Sequence, residues 1–357
     1  MSDLIDYKQT LSNLSTQRVP YLVMNLIDPL VDAGDISQAI DATIADLDAV
    51  NIATFNSDLL YDYRAQRPIV SYLDGKLNEL AYPQMRLNLV TDIAGKNFLY
   101  LCGQEPDFRW QTLTQDILDI VKKYGVEQVI TYASMPATVP HTRPADMLIR
   151  TTKPAQDAKY VQGRAEHFSA LADFFEYFAG KSDISVTNLR VRVPFYLARG
   201  LHPFVQGALA AVKMTATLGG PKLPLGDLEQ LEDQQKEEIA SIQVEGAEFE
   251  ELLQKLELEY DATSGEAGFV KTDEALPEIP SSEEIGKAAE EFLATQSAHL
   301  RRAAGAGRDR GPSKSKSGSS SEQGVDQTGK SWWAWRRWGR NNSQGNTQSE
   351  GSPDDRG

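Results

Sequence analysis

The sequence predicts an α/β protein built on a mostly parallel sheet covered by helices on both faces. Three observations carry that prediction. Short apolar runs of strand length alternate with segments of helical periodicity over about two hundred residues. One strand–helix–strand unit of about thirty-five residues is complete, down to its terminating glycine. The first run, PYLVMNLI at 20–27, is nearly continuous in apolar residues, as in a strand buried on both faces.

The elements follow in order. Asp35 stands where an N-cap belongs, and behind it Ile36, Ile40, Ile44 and Leu47 recur at helical spacing, with Asp41, Asp46 and Asp48 facing away. Residues 51–55 read as the next strand, and two short strands follow around 85–90 and 97–102. The complete unit begins there. Residues 98–102 form a buried strand ending at Gly103, and Asp107 opens a helix whose Trp110, Leu113, Ile117, Ile120, Val121 and Tyr124 make one stripe. Gly125 sits at the left-handed C-terminal cap, and 126–132 form the following strand. These two strands are expected to be parallel neighbours joined by a right-handed crossover. A helix over 163–180, a strand over 184–193 and a helix over 203–218 complete the alternation.

From Pro224 to Tyr260 the character changes. Leu228, Leu231, Ile239, Ile242, Phe249, Leu252, Leu253 and Leu256 are set among many Glu and Gln, which gives a pair of helices, acidic outside. The expected organisation is a core domain over 1–222 and an acidic helical cap over 223–262 packed on it. A linker with one amphipathic helix covers 263–299, and a disordered, basic, Trp-rich tail covers 300–357. No internal repeat is found.

Charge and composition narrow the function. The chain of 357 residues has a net charge of −15. Its tail from residue 300 holds eleven Lys/Arg against six Asp/Glu, so the preceding part, with 25 against 45, is far more acidic than the whole. A body of that sign repels phosphate backbones, which argues against nucleic-acid binding by the folded part. No apolar run reaches the ~18–20 residues of a membrane helix. The N-terminus MSDLIDYKQT has no secretory signal, and a single cysteine, Cys102, fits a reducing compartment. The expected location is cytoplasmic. No G-x-G-x-x-G follows the first strand and no Walker glycine loop occurs, so no nucleotide cofactor is expected. His141, His167, His202 and His299 are dispersed and lack a cysteine pair, so no metal site is expected either.

Two segments leave strand ends where α/β proteins place ligands. One is Gly103-Gln104-Glu105-Pro106-Asp107; the other runs from Ser134 through VPHTRP at 139–144. On adjacent parallel strands they bring Gln104, Glu105, Ser134, His141, Thr142 and Arg143 into one neighbourhood. Glu105, His141 and Arg143 are then the catalytic candidates, an acid, an imidazole and a guanidinium around an anionic or amide-like ligand. Structure is the stronger reading of the same residues: acids suit a helix's first turn, and a His and Arg between prolines can pin a loop. A Ser134–His141–Glu105 triad is disfavoured, because no G-x-S-x-G elbow presents the serine. Cys102 reads as a small core residue, and His167 and His202 as helix residues. In the tail, Trp332, Trp333, Trp335 and Trp338 stand among Arg336, Arg337 and Arg340. On a helix, Trp332, Trp335 and Trp338 share a face suited to a protein groove, a membrane interface or single-stranded nucleic acid. A protein groove is preferred, the molecule's own acidic cap among the candidates.

Several of these motifs together resemble the proteasome-assembly-chaperone-like family in its actinobacterial branch. They are Gly103-Gln104-Glu105-Pro106-Asp107 with Trp110, VPHTRP at 139–144, and Arg192-Val193-Pro194 ahead of a helix. Leu223-Pro224-Leu225, Leu228-Glu229, Leu256-Glu257 and Tyr260-Asp261 fit it too, so the resemblance spans roughly 15–262. It implies a three-layer α/β sandwich similar to nucleoside phosphorylases, a tendency to homo-oligomerise, and relatives that help assemble proteasome subunits. The resulting expectation is a non-enzymatic, oligomeric protein-binding scaffold or assembly chaperone, with proteasome subunits among its protein partners. The alternative is an enzyme acting on a small anionic or amide-like substrate at the sheet's carboxyl edge.

Overall fold

The computed structural model describes residues 2–8, 18–28, 30–153, 168–182, 184–200, 202–243 and 247–264. Its elements in chain order are β1 (Ile5–Tyr7), β2 (Tyr21–Ile27), α1 (Ile36–Ala45), β3 (Ala49–Phe55), α2 (Ser57–Leu60), β4 (Ile69–Leu73) and β5 (Lys76–Ala81). Then come β6 (Arg86–Thr91), β7 (Asn97–Gln104), α3 (Trp110–Tyr124), β8 (Gln128–Ala137), β9 (Met147–Thr151), α4 (Leu171–Lys181) and β10 (Ser185–Pro194). Three helices close the described chain: α5 (Val205–Thr217), α6 (Gly226–Gln243) and α7 (Ala247–Ser264).

Eight strands form one sheet in the order β1-β3-β6-β7-β2-β8-β10-β9. The middle of the sheet, β7-β2-β8-β10, is parallel, and the outer strands join it antiparallel. The parallel strands are the ones with continuous apolar runs, because a helix covers each of their faces. Leu22 and Met24 of β2 enter one core with Leu113 and Ile117 of α3 and Leu171 and Phe175 of α4. Val23 enters the other with Ile36, Ile40 and Ile44 of α1 and Ala208 and Val212 of α5. The result is the expected three-layer sandwich. β7 and β8 are parallel but are not neighbours as expected, since β2 lies between them.

Local signals hold where the chain alone decides them. Gly125 caps α3 at φ 63°, and the Val126 amide returns to the Val121 carbonyl at 2.9 Å. Elsewhere tertiary contacts override them. Asp35 does not cap α1; it takes φ 48° and makes no side-chain cap bond. Asp32 does that work from one turn earlier, accepting from the amides of Ile36 (3.2 Å) and Ser37 (2.8 Å). Asp107 does not open α3, which starts at Trp110; its carboxylate accepts from the Asp62 amide at 2.7 Å instead. Asp41, expected to face solvent, is buried. His202 precedes α5 rather than lying on it, while His167, His299 and the stretch around 282–293 lie outside the described residues.

An ion network fastens α4 across the sheet margin. Arg150 of β9 reaches Asp173 and Glu176, and Arg190 of β10 reaches Asp173 at 3.1 Å. On the other side Gln235 of α6 bridges the Val205 amide and the Pro203 carbonyl, closing the first turn of α5. Strands β4 and β5 form a separate two-stranded sheet, joined by Asp74 and Gly75, both at positive φ as a type I′ turn requires.

Candidate functional site

The four parallel strands deliver their loops, after β2, β7, β8 and β10, to one carboxyl edge. The loop after β2 turns back at Asp32, which bridges to Ser134 of β8 and accepts the Ser134 hydroxyl. That hydroxyl in turn accepts the Gly34 amide at 2.7 Å. A Cβ at Gly34 would sit 2.7 Å from the Val193 side chain, so the loop is pressed against the sheet. Ser134 is therefore a buried link between strand and loop, with its hydroxyl already engaged in both directions.

Glu105 leaves β7 and is buried. Its carboxyl accepts the Leu171 amide at the start of α4 and shares a hydrogen bond with Asp28. Burial first, then the Asp28 carboxyl and the charge of Asp173, push its pKa up to about 8 against the opposing Leu171 amide. Gln104 stays half-buried on the last pair of β7, its carbonyl accepting the Tyr61 hydroxyl at 2.7 Å. Glu105 and Asp32 line a common recess with Met24, Leu26, Tyr132 and Ala170. Its volume is about 20 Å³, room for a single water and far below the ~300–1,000 Å³ of small-molecule sites.

The second segment has a different setting. His141 is buried against Tyr196, whose hydroxyl lies 2.8 Å from Nδ1 and accepts the His141 amide at 3.0 Å. Burial lowers its pKa to about 4, with Glu257 pulling weakly the other way, so the ring is neutral at physiological pH. Thr142 donates to Glu257 of α7. Arg143 grips Asp261 with both arms of its guanidinium, at 2.8 and 2.7 Å, and stands 3.3 Å from Glu257. The Tyr260 hydroxyl reaches the Pro144 carbonyl at 2.9 Å. Behind them Tyr196 packs on Leu256, Phe249 and Leu252. The VPHTRP run thus forms a receptacle in which the acidic face of α7 is seated.

The candidates therefore fall into two groups. Glu105 and Ser134 meet Asp28, Asp32 and α4 around the recess, whereas His141, Thr142 and Arg143 meet α7. Trp332, Trp333, Trp335 and Trp338 lie outside the described residues. Asp28, Asp32 and Tyr196 are positioned as centrally as any candidate, and the sequence reading passed over them. Asp32 carried a signal, an acid just ahead of an apolar-periodic segment, but Asp35 stood nearer the start of the helix. Among the described residues no cluster of His, Cys, Asp and Glu is arranged to hold a metal ion, and no helix is long and apolar enough to cross a membrane.

The seating of α7 yields a first prediction. Arg143→Ala should raise hydrogen exchange across 249–262 and speed proteolysis there, with β2, β7 and β8 unchanged. If exchange in α7 is unaltered, the guanidinium does not hold the helix.

A three-layer α/β sandwich whose carboxyl edge is closed by its own helix is what these contacts define. Residues 26–243 match the model of the PAC2 family, and the chain belongs to that family. A Corynebacterium glutamicum protein of unknown function is 27% identical with a TM-score of 0.67, over 72% of this chain and 97% of that one. A Mycobacterium tuberculosis protein of unknown function matches at 27% and 0.67, over 74% and 90%. A Mycobacterium tuberculosis proteasome-assembly chaperone homologue shares the fold at 24% identity and TM-score 0.57, over 66% and 99%. No curated protein matches the chain.

Proposed function

We propose that the protein is a self-associating, chaperone-like scaffold that binds other proteins and does no chemistry of its own. The observation that carries this reading is the β4–β5 hairpin. Val70 pairs with Leu80 and Tyr72 with Leu77, so the four side chains share one face. That face is open: Tyr72 is 66% exposed and Leu77 58%. On the other face Ile69 and Leu73 are also exposed. A two-stranded sheet is marginal alone in water, and an apolar face of this kind marks a contact surface. A second copy of the chain is the occupant we assign to it, in line with the homo-oligomerisation that the resemblance implies.

The carboxyl edge supports the same reading. Its recess is water-sized, Ser134 is engaged, His141 faces Tyr196, and Arg143 is neutralised by α7. Proteasome subunits are the first clients to test, because a structural relative carries that description. In light scattering the full chain should be oligomeric, and Tyr72→Lys with Leu77→Lys should be monomeric with an unchanged circular dichroism spectrum. Purified proteasome subunits should be retained by the wild type and lost with the double variant. A wild-type chain that stays monomeric and retains no subunit would overturn the proposal.

A further inference from the structure

The sequence turns Asp41 outward, and the fold turns it in. It lies on α1 one turn beyond Ser37, and both face the sheet rather than water. Opposite stand Asn25 of β2 and Tyr100 of β7, both buried. The Tyr100 hydroxyl donates to Asp41, and Asn25 Nδ2 donates to the Tyr100 oxygen at 3.0 Å and to the Ser37 carbonyl at 2.9 Å. Two buried atoms of this cluster, Asn25 Oδ1 and Ser37 Oγ, find no partner among the described residues. The cluster thus holds an amide oxygen and a hydroxyl left unsatisfied, beside a carboxyl with no cation in hydrogen-bond reach.

The opposing charge around it comes from Arg86 of β6, which makes no hydrogen bond to Asp41, and burial outweighs it. Cys102 of β7 is buried beside Asp41, and burial pushes its thiol up, as it does the Tyr100 phenol, so both stay neutral. The Arg86 Nε donates to Gln84 Oε1 at 3.0 Å. β8 contributes Tyr132, bonded to Thr215 of α5 at 2.8 Å. Lys213 of α5 and Glu229 of α6 pair with each other at the surface.

We infer that Asp41 is held as a neutral acid, and that its proton sets how firmly α1 is seated on the sheet. A protonated Asp41 removes the buried charge and adds a donor to a cluster whose Asn25 Oδ1 has none. An ionised one leaves a buried anion between α1 and β7 that Arg86 and the Tyr100 hydroxyl offset only in part, and α1 loosens together with the helices packed on it, α5 and α6. Burial raises the Asp41 pKa to about 7, so the change falls near neutrality. The sign follows from the raised value. Between about pH 4 and 7 the folded chain binds the proton and the unfolded chain does not, so stability falls as pH rises and levels off above 7.

The test compares full-length wild type with Asp41→Asn by urea unfolding from pH 5 to 8.5, together with hydrogen exchange over 36–45. The ratio of the two folding constants cancels every other titrating group. Wild type should lose about tenfold per pH unit against the variant up to pH 7, with no further change above it. Exchange in wild-type α1, corrected for its intrinsic pH dependence, should rise through neutrality while that of the variant does not. A flat ratio overturns the inference. If Asp41→Asn fails to fold, a carboxyl-carbon NMR titration of the wild type decides: one aspartate should titrate near neutrality, and none doing so refutes it.

Discussion

Gly103→Ala should cripple folding. The residue sits in β7 at φ +131°, a conformation L side chains rarely adopt. A Cβ there would lie 2.2 Å from the Gln84 carbonyl oxygen and 2.9 Å from Met85 Cα. Both are backbone atoms of the segment leading into β6, and neither can swing aside as a side-chain tip would. Relief requires that segment to separate from β7, although Met85 and Leu87 are packed into the core beside it. Strain and lost packing together cost on the order of 3–5 kcal/mol, a large part of the ~5–15 kcal/mol that holds a domain folded. For a domain of this size that is a fall in Tm of roughly 10 °C, or no soluble protein at all. Gly226→Ala is the control, since a Cβ at Gly226 meets nothing within 4 Å. A Gly103→Ala protein melting within two or three degrees (~2–3 °C) of wild type would show that the crossing over β7 is adaptable.

The same glycine marks the border of what the sequence made legible. Periodicity located α1, α3 and α5 and the four central strands, because those elements owe their pattern to a core that faces them squarely. Asp41 escaped because its helical position reads as solvent-facing until Tyr100 and Asn25 are brought across from other strands. The hairpin escaped because neither of its strands is a continuous apolar run, although Asp74-Gly75 between Ile-Val-Ser-Tyr-Leu and Lys-Leu-Asn-Glu-Leu is a type I′ signature. β1 and β9, of three and five residues, carry too little pattern to be seen. At the carboxyl edge the VPHTRP run was conspicuous, but its partners Glu257 and Asp261 lie more than a hundred positions later. The chemistry of Glu105 likewise depends on Asp28 and on the Leu171 amide, and no local rule connects the three.

Glu105→Gln should reverse in effect with pH. In the wild type Glu105 keeps its proton to about pH 8, whereas an unfolded glutamate releases it near pH ~4.3. Across that interval the folded chain binds more protons than the unfolded chain, so this group's contribution to stability declines by up to about 1.4 kcal/mol per pH unit. Above pH 8 the decline stops, with an ionised Glu105 facing Asp28 at the buried end of two strands. Glutamine reproduces the neutral acid: its carbonyl can accept the Leu171 amide and its NH₂ can donate to Asp28. Urea unfolding should therefore find the variant close to wild type near pH 5 and clearly more stable at pH 9. A constant offset at every pH would mean that Glu105 is ionised throughout and that Asp28 does not share its proton. Because Glu105 and Asp41 lie in different clusters, their pH effects should add in the double variant. The outcome also bears on catalysis at this edge. A carboxyl that holds its proton through physiological pH and spends an oxygen on a helix amide is built to join β7 to α4, and it is poorly placed to take a proton from a substrate.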